Sequence, residues 1–190
     1  VAIDGRNDML YPSEFFAEMV RGQRDRERFA AQWVAAPADW VLADNTAEQT
    51  CDASGCRERS NFLFLADDPG WMMVHWSEEA VIYVPRAGNE RLADRAYEHL
   101  RANDLVGSLR RALRAADGDA DALHAVRREV SRMVQSSPDS VRANALLAIF
   151  FHHLGPSHRM EVEAVLSRLG EIAPRHPAVA QLRTMLGPPR

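Results

Sequence analysis

Apolar residues recur along this chain with changing rhythms, and each rhythm predicts a different element. Between residues 12 and 36 they fall in two groups, first Phe15, Phe16, Met19 and Val20, then Phe29, Trp33 and Val34. That spacing predicts an N-terminal helix opened by Pro12 and Ser13, with Ser13 as N-cap, Glu14 at the positive end of the dipole and Pro37 as its stop. The charged stretch 21–28, containing Gly22, marks a bend or a break between the groups. From Trp40 to Val84 short β-rich runs replace the helical period. Runs 61–66, 71–76 and 80–84, separated by turn residues 67–70 and 77–79, read as a small antiparallel meander, with 40–42 as an added strand. Phe62 and Phe64 face one way and Leu63 and Leu65 the other, so this sheet needs cover on both faces, from the first helix and the helical remainder.

Residues 85–89 read as a connector, and the rest of the chain as helix. Leu92, Ala93, Ala96, Tyr97 and Leu100 sit at helical spacing, as do Leu105, Leu109, Ala112, Leu113 and Ala116. Gly118 stops that run, and Asp119 caps a helix with the stripe Leu123, Val126, Val130, Met133 and Val134. Pro138 ends it. Segment 139–154 is apolar nearly all round and predicts a central buried helix. Gly155, Pro156 and Ser157 lead into a helix with Val162, Val165, Leu166, Leu169 and Ile172. Pro174 and Pro177 bracket the turn into a last helix with Val179, Leu182, Met185 and Leu186. The expected fold is α+β and mostly α: an N-terminal helix, a small antiparallel sheet and a C-terminal antiparallel helical bundle. Residues 1–89 and 90–190 are the expected regions, folding apart or packing as one unit.

The helix ends before Pro138 and Pro174 match when shifted by 36 residues. Val126 falls on Val162, Val130 on Leu166, Met133 on Leu169, Leu146 on Leu182 and Ile149 on Met185. A period in the mid-thirties with a proline closing each unit marks helix-turn-helix repeats. On these residues the stretch from about 119 to 186 resembles the tetratricopeptide family. With Pro174 as the closing proline, Leu146, Ile149, Val162, Leu166 and Leu169 take the family's apolar positions. Phe150 stands where a glycine is usual, and Val162 and Leu169 where alanines are usual, which alters how closely the helices pack. A generic antiparallel bundle is the alternative. The resemblance implies a concave face that binds a partner peptide, and it transfers no binding residue.

Composition narrows the classes. With 46% apolar and 26% charged residues the chain is globular, not a disordered tail. A net charge of −4 gives no bulk attraction to nucleic acid or an anionic membrane. No apolar run reaches the roughly 18 residues of a membrane span. No signal-peptide pattern is seen, and a start at Val1 is compatible with a removed leader or a trimmed beginning. All 23 basic residues are arginine. A GC-rich genome accounts for that, as does selection against lysine tagging in an effector acting inside a host cell. Either way, lysine Schiff-base chemistry and a phosphate-loop lysine are excluded.

Candidate chemistry is sparse. Cys51 and Cys56 enclose the turn sequence Asp-Ala-Ser-Gly, which suits a hairpin bridged by a disulfide in an oxidising compartment, secreted or periplasmic. Such a small loop limits the stabilisation to about 2 kcal/mol. Two inert thiols, or a redox or metal role, are the other readings. His152, His153, His158 and His176 lie at helix ends, where they suit the negative dipole, although histidine clusters can also bind zinc. Arg110, Arg111, Arg114, Arg127, Arg128 and Arg132 form either a solvated face or a basic patch for an acidic partner or nucleic acid, without the interleaved aromatics that stack on bases. Trp71, Met73 and Trp76 form either sheet core or an adaptable apolar surface. Glu78 and Glu79 read as turn residues. No nucleophile elbow, phosphate loop, dinucleotide fingerprint or zinc-protease motif is present. These observations lead to a bacterial protein–protein scaffold or assembly factor, without assigned catalytic, cofactor or metal residues. An enzyme or lysine-free effector and a module for a small apolar ligand are the alternatives.

Overall fold

The computed structural model describes residues 13–35, 39–45, 48–52, 55–59 and 62–186. Val1, Pro12, Pro37 and Asn61 lie outside the described residues. So do the side chains of Ser13, Glu14, Phe15, Phe16, Met19, Leu63, Cys51 and Cys56. The chain divides into two compact units, Val1–Glu98 and His99–Arg190.

In the first unit the expected N-terminal helix is broken into α1 (Ser13–Gly22) and α2 (Arg26–Ala35). Asp25 makes the break: its carboxylate accepts the N–H groups of Glu27 at 3.0 Å and Arg28 at 3.1 Å, capping α2. The Gln32 amide then donates to the Glu18 carbonyl at 2.6 Å, tying α2 back to α1.

Strands β1 (Val41–Asp44), β4 (Trp71–Trp76) and β5 (Ala80–Pro85) form an antiparallel sheet in the order β1-β5-β4. Met73 pairs with Tyr83 and His75 with Ile82, so Val74 sits in a bulge. A separate hairpin consists of β2 (Glu48–Asp52) and β3 (Gly55–Arg59).

Run 61–66 is not a strand. Leu63–Asp67 is a 3-10 turn entered through Phe62 in the left-handed region, at φ 62°. The Phe62 N–H donates to the Gln23 carbonyl at 2.7 Å, and against Phe29 the Phe62 ring packs edge-to-face and the Phe64 ring tilted. An aromatic cluster with α2, closed by Trp33 and Trp71 at 4.5 Å between centroids, outweighs the β propensity of this run. The opposite face of the sheet buries Met72 and Val84 against Ala96, with Val74, Ile82 and Leu92 around them.

Segment 90–100 also departs from expectation. Glu90–Arg95 is a 3-10 turn, and the chain then runs extended, with the Tyr97 N–H on the Met73 carbonyl at 2.8 Å along the edge of β4. Leu92 and Ala96 thus keep their apolar role, but as cover for the sheet. They belong to the first unit, not to a helix of the second.

The second unit contains α3 (Leu105–Ala115), α4 (Ala120–Ser136), α5 (Val141–His153), α6 (Arg159–Ile172) and α7 (Pro177–Leu186). Asp104, Asp119 and Ser140 cap the first three of these, each accepting N–H groups of the first turn. α5 packs against α3, α4, α6 and α7, as its apolar circumference requires. The core comprises Leu109 and Leu113 of α3, Val126, Val130 and Met133 of α4, Leu146 and Phe150 of α5, Val162 and Leu169 of α6, and Val179 of α7. Gly155, at φ 94° and ψ −171°, turns the chain from α5 into the 3-10 turn Pro156–His158 that precedes α6.

Candidate functional site

Adjacent positions on a helix turn by about 100°. Arg110, Arg111 and Arg114 therefore share one sector of α3, opposite the buried Leu105, Leu109 and Leu113, and all three are exposed. Arg111 is drawn to Asp104 at 2.9 Å, supporting the cap of its own helix. The three arginines of α4 do not join this row. Arg127 and Arg132 flank the buried stripe of α4 on opposite sides, and Arg128 points away from it. Arg132 is half-buried, while the Arg127 guanidinium lies over the Phe151 ring at 5.8 Å. The six arginines thus give one solvent-facing row on α3 and three separate placements on α4.

The histidines are distributed among structural tasks. The His158 ring stacks on Phe151 at 5.9 Å with an interplanar angle of 19°. Its Nδ1 lies 3.2 Å from the Glu161 carboxylate. That carboxylate is held below its ordinary pKa, first by its own backbone N–H and then by His158 and Arg127, against desolvation. His176 Nδ1 accepts the Ala178 N–H at 3.2 Å and so caps α7. His152 and His153 are exposed. Among the described residues no group of three His, Cys, Asp or Glu side chains is placed to hold a metal ion.

Met73 and Trp76 are buried and Trp71 is half-buried, so they belong to the core of the first unit. Apolar exposure on this sheet falls at its other edge. Trp40 and Leu42 are 44% and 51% exposed, while Val41 and Ala43 of the same strand are buried. Burial alternates along 41–44, and of its outward positions Leu42 is apolar where a polar residue is usual, while Asp44 is polar. Cys51 stands opposite Cys56 in the register of β2 and β3. Glu78 and Glu79 lie in the turn between β4 and β5.

The polar residue that sequence reasoning passed over is Glu129. It sits in the buried stripe of α4, 5% exposed, and accepts the N–H groups of His99 and Leu100 at 3.1 Å each. His99 Nδ1 lies 3.4 Å from its other oxygen. An acid at the i+3 position from Val126, between Val126 and Val130, was the readable sign. Buried carboxylates of this kind are held by donors from elsewhere in the chain.

No protein-family model, curated protein or solved structure matches this chain. Among the described residues, no helix is long and apolar enough to cross a membrane.

Proposed function

We propose that this chain works by binding another protein, and that its second unit is a tetratricopeptide-like repeat module. One observation supports this reading above the others: the 36-residue offset recurs in the backbone as well as in the sequence. α4 ends at Ser136 and α6 at Ile172, and α5 begins at Val141 and α7 at Pro177, both pairs 36 apart. The turns share their hydrogen bonds. Ser137 donates to Met133 and Ser140 to Ser137, and at the same offset Ala173 donates to Leu169 and His176 to Ala173. Four of the pairs matched by the offset are buried in both copies, Val126 and Val162, Val130 and Leu166, Met133 and Leu169, and Leu146 and Leu182, whereas Ile149 is half-buried and its counterpart Met185 is exposed. Packing fits a stack as well, since each helix from α3 to α7 meets the next, and α5 also meets α3 and α7.

The solvent-facing row on α3 is the surface we assign to the partner, and an acidic protein segment is the chemistry it fits. The test uses the full chain as bait in lysate of its source, beside an Arg110→Glu/Arg114→Glu double variant with unchanged helicity. Arg111 is left in place because it supports the Asp104 cap. A discrete partner is expected, bound at least about tenfold more weakly by the variant and with a shallower salt dependence. Equal binding by both proteins would refute the surface. A catalytic activity abolished by a single His, Glu or Cys substitution would refute the reading as a whole.

A further inference from the structure

β2 and β3 form a two-stranded sheet in which Asp52 faces Gly55 and Cys51 faces Cys56. Asp52 and Gly55 are the last paired positions of the ladder, with two residues between them, and in a two-residue hairpin the closing pair is by rule the hydrogen-bonded one. Antiparallel pairs alternate, so the next pair, Cys51 and Cys56, is a non-hydrogen-bonded one, where Cα atoms lie about 4.5 Å apart. A disulfide accepts Cα separations of about 4.4 to 6.8 Å.

A second observation concerns what holds the hairpin. Two strands alone are marginal in water unless an apolar face or a further strand supports them. The sequences of β2 and β3, Glu-Gln-Thr-Cys-Asp and Gly-Cys-Arg-Glu-Arg, contain no apolar side chain besides the cysteines. The other opposed pairs with side chains on both strands are Glu48 with Arg59, Gln49 with Glu58 and Thr50 with Arg57, all polar. Register is weakly specified in such a strand pair, and one covalent link between opposed positions fixes it.

We propose that Cys51 and Cys56 form a reversible intrachain disulfide that sets the register of this hairpin, making it a thiol-redox-responsive part of the chain. The oxidant is a small-molecule or protein disulfide. One cysteine thiolate attacks a sulfur of that disulfide, forming a mixed disulfide and releasing one thiolate. The second cysteine thiolate then attacks the chain's own sulfur in the mixed disulfide and expels the other. In sum the two cysteines give up two electrons and two protons, and the oxidant is reduced to two thiols. The short segment between the two cysteines favours the second step, since it makes the attack of the second thiolate intramolecular.

The test treats the reduced full chain with oxidised glutathione and follows it by intact mass and maleimide labelling. The expected result is loss of both thiols together, with a mass two hydrogens lower, no retained glutathione and no dimer. Cys51→Ser and Cys56→Ser variants should each retain one glutathione instead. Trypsin cleavage after Arg57 should slow on oxidation of the native chain and not in the variants. Glutathione held separately on both native cysteines would overturn the proposal. So would native thiols that react no further than those of the single variants, or that do not react at all.

Discussion

Replacing Glu129 with alanine should be among the most damaging single changes in the second unit, although no contact to a ligand is lost. Its side chain is 6% exposed and lies in the stripe formed by Val126, Val130 and Met133, each 0% exposed. Both carboxylate oxygens accept the His99 N–H, at 3.2 and 3.1 Å, and one of them also accepts the Leu100 N–H at 3.1 Å. Truncation leaves two backbone donors without this acceptor, each costing about 1–3 kcal/mol if buried, and opens a small cavity. A total of about 2–5 kcal/mol is expected, a large fraction of the stability of a unit this size. Glutamine behaves differently. Its carbonyl can take the place of the oxygen that serves both N–H groups, and its amide can donate to His99 Nδ1. Only the charge assistance is lost, about 1 kcal/mol.

The assay is urea unfolding followed by far-UV circular dichroism, together with amide hydrogen exchange at His99 and Leu100. Glu129→Ala should lower the midpoint markedly and expose both amides to exchange, while Glu129→Gln should retain protection at both. An alanine variant within about 0.5 kcal/mol of the native chain, with both amides still protected, would refute the argument. Glutamine as damaging as alanine would also count against it, because the carboxylate's position would then matter less than its charge.

Two further outcomes are expected. Gly155 has backbone angles that glycine alone adopts readily, so Gly155→Ala should cost about 1–3 kcal/mol in the same urea assay, even though no atom beyond its own residue and its two chain neighbours lies within 4 Å of the added methyl; a neutral result would refute the strain. Glu161 has a depressed folded-state pKa, so its contribution is present above its unfolded value of 4.5 and is lost as pH falls through the lower folded value. Acid unfolding of Glu161→Gln should therefore lack part of the native chain's loss of stability in that window, and superimposable acid limbs would show that ionisation of Glu161, held mainly by its own backbone N–H, contributes nothing.

The elements that proved legible were those whose limits are local. Gly118, Pro138, Gly155 and Pro174 each lie just beyond a helix end, because left-handed glycine or a missing N–H stops a helix whatever packs around it. Strands β4 and β5 were equally readable, joined by a short turn of polar residues. Phe62 and its neighbours carry a strand's composition but fold as a 3-10 turn, because their conformation depends on Gln23 and Phe29, remote in sequence. Periodicity around Leu92 correctly marked apolar residues facing one surface, but a 3-10 turn followed by an extended segment can satisfy the same spacing when a sheet face is available.

Candidate surfaces were less legible than elements, for a related reason. Counting arginines on neighbouring helices found six, yet a helix distributes its residues around a circle, and only the α3 group falls opposite a buried stripe in a single sector. A patch is defined by angle, and the angle can be computed once the stripe is known. Applied to α4, the same arithmetic places Glu129 inside the stripe and Arg128 outside it. A charge inside a stripe calls for donors from elsewhere in the chain, whereas one outside needs only water. Sorting charged residues by their angle to the nearest apolar stripe therefore separates those that hold the fold from those free to meet a partner. By that criterion Arg110 and Arg114 belong to the second group and Glu129 to the first.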